Sequence, residues 1–263
     1  MNDKNFEYLK DQLKYTGFGE AMEGELKNNM EQLQAAFSLK HDTFYGNDHV
    51  SAELHFKKSE QTDLYFFNSY GVKLEKEGTK EALEQTFYIN KGNNITLKEA
   101  YNLMEGRAVN KNLTSREGEV YNSWVQLDFK DTDPNGNFKL NHYHENYGYD
   151  LEAALSRLPI KELQNESHKE DLINSLKKGN QQSVTFQKEG TDVRQYIEAN
   201  PQFKTITVFD SNRNRLDNRK SQQQEQSQQK GQDRKSTKNK KNSISKSDDA
   251  EPQKKQRRKT TKL

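Results

Sequence analysis

The sequence predicts an α+β fold: antiparallel sheets and short helices in a polar body that runs into a disordered basic tail. Three observations carry this. Apolar residues recur at helical spacing near the N-terminus, alternate with polar ones through the middle, and all but vanish after residue 218.

Residues 1–37 read as a helical region. Phe6, Leu9 and Leu13 share one face of a first helix, and Gly17 and Gly19 interrupt it. Met22, Leu26, Met30, Leu33 and Phe37 then recur at three- and four-residue steps, the stripe of a helix that packs on a core. Residues 38–90 read as an antiparallel meander with one buried face. Val50, Ala52, Leu54 and Phe56 alternate with Ser51, Glu53, His55 and Lys57, and apolar runs at 64–67 and 87–89 continue the pattern.

Residues 91–216 carry one punctuated unit twice. Thr96 and Glu99 spell a capping box, Ala100, Leu103 and Met104 a stripe, and Gly106 a stop. A strand with Tyr121, Val125, Leu127 and Phe129 follows, then the turn signal Asn135-Gly136 and a return strand from Phe138 to about His144. A linking helix begins at Asp150 and stops at Pro159. Ser167 and Glu170 spell a second box, Ile173 and Leu176 a second stripe, and Gly179 a second stop. Lys188-Glu189-Gly190 matches Arg116-Glu117-Gly118. Val193, Tyr196, Ile197 and Ala199 lie 72 positions after Tyr121, Trp124, Val125 and Leu127, and Phe203-Lys204 echoes Phe138-Lys139. Two helix–strand–strand units are expected, with chance similarity as the rival reading.

Composition sets the outer limits. The 263 residues are 30% hydrophobic, with a mean hydropathy of −1.27. From Arg219 onward fifteen Lys or Arg face five acids, a net +10, and only Ile244, Ala250 and Leu263 are apolar. Such a segment cannot bury enough surface to offset its ordering entropy, so residues 217–263 are expected to be disordered, with a span on the order of 40 Å. The preceding residues carry −8. The absence of Cys excludes disulfides, thiol catalysis and Cys-ligated metal. No apolar run reaches the ~20 residues of a membrane span, and the first residues lack a signal-peptide core, so a cytoplasmic protein without a membrane partner is expected.

The stretch YINKGNNITLKEAYNLMEGRAVNKNLTSREGEVYNSWVQLDF, with HYHENYGYDLEAAL and SVTFQKEGTDVRQYIEANPQFKTITVFD, resembles an uncharacterised domain family common in Bacteroidota. The resemblance spans roughly residues 84–216. It implies a bacterial cytoplasm and a link to mobile or conjugative elements. The family carries no established activity, so no catalytic role transfers.

Several constellations could carry chemistry. Asp131-Thr132-Asp133-Pro134-Asn135-Gly136 matches the start of an EF-hand loop, but Lys139 and His142 stand where ligands are needed, which favours a plain hairpin. His142 and His144 share a strand face, too few ligands to close a metal shell. Trp124 and Tyr196, equivalent in the two units, fall opposite the main apolar set of their strands. They either pack under a second layer or contact a partner. No P-loop, dinucleotide fingerprint, H-E-x-x-H or G-x-S-x-G is present, so no cofactor is expected. In the tail, Lys254, Lys255, Arg257, Arg258 and Lys259 form the densest cationic cluster, suited to the phosphates of DNA or RNA.

These readings point to a non-enzymatic adaptor whose body binds a protein and whose tail contacts nucleic acid. Two alternatives stand beside it: an antirestriction-type inhibitor with an acidic, DNA-mimicking body, and an enzyme with an unrecognised site.

Overall fold

A computed structural model describes residues 2–90, 94–115, 117–188 and 190–216. Residues 217–263, with the cluster Lys254, Lys255, Arg257, Arg258 and Lys259, lie outside the described residues, as do Arg116 and Glu189 of the matched turns.

Asn2 caps α1 (Asp3–Thr16) by accepting the Asn5 N–H at 3.1 Å, and Gly17, at φ 94°, ends it. α2 (Glu23–Glu31) buries Leu26 and Met30 but stops well short of Phe37. Leu33 is 59% exposed at φ 56°, and Phe37 belongs to β1 (Ala36–Tyr45) instead. Positions 33 and 37 continue a helical step, yet the ladder with β2 (Asp48–Lys58) runs the length of β1 and overrides it. With β3 (Tyr65–Glu75) and β4 (Ala82–Tyr88) these strands form the expected meander, in the order β1-β2-β3-β4. Val50, Leu54 and Phe56 point inward onto α1 and α2. Asn5, buried, clamps the start of β3: its Oδ1 accepts the Tyr65 N–H at 2.7 Å and its Nδ2 donates to the Tyr65 carbonyl at 3.0 Å. A side-chain amide there satisfies both backbone groups as another strand would.

α3 (Leu97–Met104) starts on the expected capping box. The Thr96 N–H reaches Glu99 Oε2 at 2.9 Å, and the Glu99 N–H reaches Thr96 Oγ1 at 3.4 Å. β5 (Val109–Thr114), β6 (Val120–Thr132) and β7 (Phe138–His144) follow as an antiparallel sheet with β6 central. α4 (Leu151–Leu155), capped by Asp150, links to α5 (Glu166–Lys177). β8 (Gln182–Lys188), β9 (Thr191–Asn200) and β10 (Thr205–Phe209) then make a third sheet with β9 central. The architecture therefore repeats, as helix plus three strands rather than two.

Two details differ from the sequence reading. Asn165, not Ser167, caps α5 by accepting the His168 N–H at 3.1 Å, so Ser167 lies inside the helix and no second box forms. Asn is as strong a cap as Ser and stands earlier in the chain. Phe203 sits in a 3-10 turn (Pro201–Phe203), and Lys204 leaves it at φ 53°, so β10 begins only at Thr205.

There are two cores. The first joins α1, α2 and α3 to the meander and takes Val125 and Leu127 from β6. The second packs the opposite face of β6, through Trp124, against α4, α5 and the inner face of the third sheet. The 123–127 segment of β6 is thus covered on both faces, while β7 stays largely exposed. The third sheet buries Ile197, Ala199, Ile206 and Val208 on one face and leaves the other exposed or half-buried. No helix among the described residues is long and apolar enough to cross a membrane.

Candidate functional site

The open face of the third sheet is built by strand parity. Ile197 and Ala199 point into the core, so Arg194, Tyr196 and Glu198 point out. Tyr196 lies between Phe209 of β10 and Ser183 of β8. The Arg213 guanidinium sits 5.0 Å from the Tyr196 ring centre, and Arg194 Nε donates to Ser183 Oγ at 2.6 Å.

Arg213 is placed by a turn with an internal twin. Asp210 Oδ1 accepts the N–H groups of Asn212 and Asn214, at 2.9 and 2.8 Å. Asp133 Oδ1 accepts those of Asn135 and Asn137, at 2.8 and 3.0 Å. The left-handed position is Gly136 in one turn (φ 85°) and Arg213 in the other (φ 63°). Asp133 is therefore spent on its own backbone and Asp131 pairs with Lys139 at 2.9 Å, the hairpin reading of the EF-hand-like run. A non-glycine residue held left-handed is uncommon, and Arg213 carries its guanidinium over the Tyr196 ring.

Further along the same face lies Glu198, whose carboxyl burial raises above the usual range. It accepts from Gln181 Nε2 at 2.9 Å and lies 4.0 Å from Arg107 Nη1. Arg107 follows α3. Its Nη2 donates to Asn102 Oδ1 at 2.8 Å, its guanidinium lies 5.2 Å from the Tyr101 ring centre, and its Nε–H has no acceptor among the described residues. Helical spacing then lines up Lys98, Tyr101 and Glu105. Lys98 Nζ stands 3.9 Å over the Tyr45 ring and 4.5 Å over Tyr101. Desolvation, helped by the Arg107 charge, lowers the Lys98 amine to about 8. Burial and the hydrogen bond to Asp48, at 2.9 Å, push the Tyr101 phenol up to about 12. Lys76 pairs with Glu105 at 2.6 Å.

The result is a strip of four cation-on-ring contacts, made by Lys98, Arg107 and Arg213, running from the β1–β2 turn to the last described residues. Such a contact contributes about 0.5–1 kcal/mol at an exposed site; the Arg107–Tyr101 pair is the buried one of the set, with Tyr101 8% exposed. A cation held over a ring keeps N–H donors for an anion, and a half-exposed ring keeps a face for stacking.

Of the sequence-predicted residues, Tyr196 belongs to this strip. Trp124 does not: it is 6% exposed, edge-on to Tyr149 at 5.4 Å, and is consumed by packing. His142 and His144 stack at 6.1 Å on β7, and burial lowers the His142 imidazole. No group of three His, Cys, Asp or Glu able to hold a metal ion occurs among the described residues. Sequence reasoning missed Lys98 and Tyr101 of α3, Arg107 just after it, and Arg213 in the turn after β10. The local signal was Arg213, a non-glycine in an Asp-x-Asn-x-Asn turn matching 133–137. No family model, curated protein or solved structure matches this chain.

Proposed function

We propose that the protein is a non-enzymatic adaptor held on nucleic acid by its basic C-terminal segment, with the cation–aromatic strip as the contact surface of the body. The observation that carries this is the separation of charge: +10 over the last 45 residues against −8 over the rest. A dense cationic segment gains affinity for any polyanion by releasing condensed counterions, with little sequence preference. It raises the local concentration of the attached body near nucleic acid. The described body ends one residue after Arg215, whose charge reaches Glu198 on the open face, so the Arg213 end of the strip and the basic segment are neighbours in sequence. The resemblance to a mobile-element family supports placing this adaptor in mobile-DNA biology.

The test is binding of the full chain, and of a chain truncated after Leu216, to labelled single-stranded and duplex DNA across a salt series. The full chain is expected to bind with log affinity falling against log salt at about −0.7 to −0.9 per phosphate neutralised. The truncated chain should keep only a weak preference for single strands, from stacking on Tyr196. If the full chain fails to bind at low salt, tethering is wrong. Competition by DNA for a DNA-binding enzyme captured on the acidic body would then support the mimic reading.

A further inference from the structure

The two edges of the meander are treated differently. At β4 the chain covers its own edge: Asn137 Oδ1 accepts the Thr86 N–H at 2.8 Å, and Gln85 bonds both the N–H and the carbonyl of Phe138, at 2.8 and 3.3 Å. The opposite edge, β1, is ten residues long and carries no proline. The Lys58 N–H donates to the Ala35 carbonyl at 2.9 Å, which fixes the phase of the β1–β2 ladder. Phe37, Leu39, His41, Thr43 and Tyr45 therefore turn their backbone groups toward β2. Ala36, Ser38, Lys40, Asp42 and Phe44 turn theirs away, and among the described residues no hydrogen bond meets them. Their side chains are all exposed, Phe44 at 65%. Long open edges of this kind are templates for a further strand.

We propose that this edge is a homodimer interface, where β1 of a second copy pairs antiparallel about a two-fold axis at His41 and makes one eight-stranded sheet. The register follows from charge. Only residues facing away from β2 can exchange hydrogen bonds, so the axis must pass through a single residue. Placed at His41, it sets Lys40 against Asp42 of the second copy, twice by symmetry, and Ser38 against Phe44. Placed at Lys40 or Asp42, it sets like charges face to face. Placed at Leu39, it leaves Lys40 against Ser38 and Asp42 against Ala36. Opposite charges directly across a ladder are favourable and like charges are not. Within one copy Lys40 stands across from Glu53 of β2 but is not within ion-pair distance of it, Glu53 accepting instead from Ser38 Oγ at 2.7 Å, and Asp42 meets His49 at 3.1 Å and is 62% exposed. The strand is thus self-complementary, as an isologous interface requires.

The test is sedimentation of the full chain from micromolar to near-millimolar concentration at low salt, beside Lys40→Asp, Asp42→Lys and the double swap. The wild type is expected to dimerise. Each single reversal should weaken the dimer about tenfold or more, and the swap, which restores both pairs, should recover it. Circular dichroism establishes that each variant is folded. Amide exchange supplies a second readout: the N–H groups of Ser38, Lys40, Asp42 and Phe44 should gain protection only as concentration rises. A wild type that stays monomeric overturns the proposal. So does a dimer indifferent to the reversals, or protection already present in the monomer, which would mean that the chain's own tail occupies the edge.

Discussion

The two helix-plus-three-strand units share a frame and differ in their cover. In both, the helix ends on a left-handed glycine, Gly106 or Gly179, and the next N–H bonds back into the last turn. In both, the second strand is central and buries the equivalent pairs Val125 and Ile197, Leu127 and Ala199. The first unit lies between two cores, so Trp124 is consumed by packing. Among the described residues no helix or sheet packs on the outer face of the second, so Tyr196, at the same position, stays half-exposed beneath Arg213. Equivalent aromatics acquire a structural or a surface role according to what the rest of the chain lays on top of them.

Substituting those two aromatics breaks the comparison most sharply. Trp124→Ala opens a cavity in the second core and should cost about 4 kcal/mol. Tyr196→Ala removes a partly solvated ring and should cost less than about 1 kcal/mol. Chemical denaturation of both variants checks this, and comparable losses would mean that the open face is covered. The helix stops separate next. A Cβ on Gly179 would sit 2.9 Å from both the Ala108 carbonyl oxygen and Val109 Cγ2, whereas one on Gly106 would meet only Phe129, at 3.5 Å. Gly179→Ala adds overpacking to left-handed strain and should cost about 3 kcal/mol. Gly106→Ala should cost about 1 kcal/mol, the strain alone.

The close approach at Gly179 has a reason. Asn102, fully buried, donates from Nδ2 to the Lys178 carbonyl at 2.7 Å and to Asn180 Oδ1 at 2.9 Å, while its Oδ1 accepts from Arg107. It fastens the end of α3 to the end of α5. The matching residue in the second unit, Ser175 of α5, accepts instead from Asn180 Nδ2 just past its own helix, at 3.0 Å. Asn102→Ser should cost about 2 kcal/mol by leaving the Lys178 carbonyl without its donor. It should also speed amide exchange at the end of α5. Full retention of protection there would show that the two units hold together without this bond.

What the sequence disclosed follows the range of each interaction. Alternation in β2, the Thr96–Glu99 box, the Asn135-Gly136 turn and the 72-residue register are local, and the structure has them. β5 escaped because Lys111, which pairs with Glu99 at 3.0 Å, interrupts its apolar face between Val109 and Leu113, and β8 because it offers a short apolar alternation, Val184 and Phe186. The second capping box failed because Asn165 competes for the same helix start. The strip was illegible because Tyr45, Lys98, Arg107 and Arg213 are brought together only by tertiary packing. The side on which Trp124 and Tyr196 differ is likewise decided by α4 and α5, not by their own strands.

The smallest expected change in stability is the one that separates strain from function. The turns at 133–137 and 210–214 have the same hydrogen bonds, but the first uses glycine at the left-handed position and the second uses Arg213. Arg213→Gly relieves about 1 kcal/mol of backbone strain and gives up a cation–ring contact of about 0.5–1 kcal/mol. The melting temperature should therefore barely move, whereas Gly136→Arg, which adds left-handed strain at φ 85°, should lower it. If the strip contacts nucleic acid, Arg213→Gly should also weaken single-stranded DNA binding by about threefold or more, through loss of the cation that Tyr196 holds in place. Unchanged binding with a raised melting temperature would reduce Arg213 to an unrelieved strain, and the nucleic-acid reading would rest on the C-terminal segment alone.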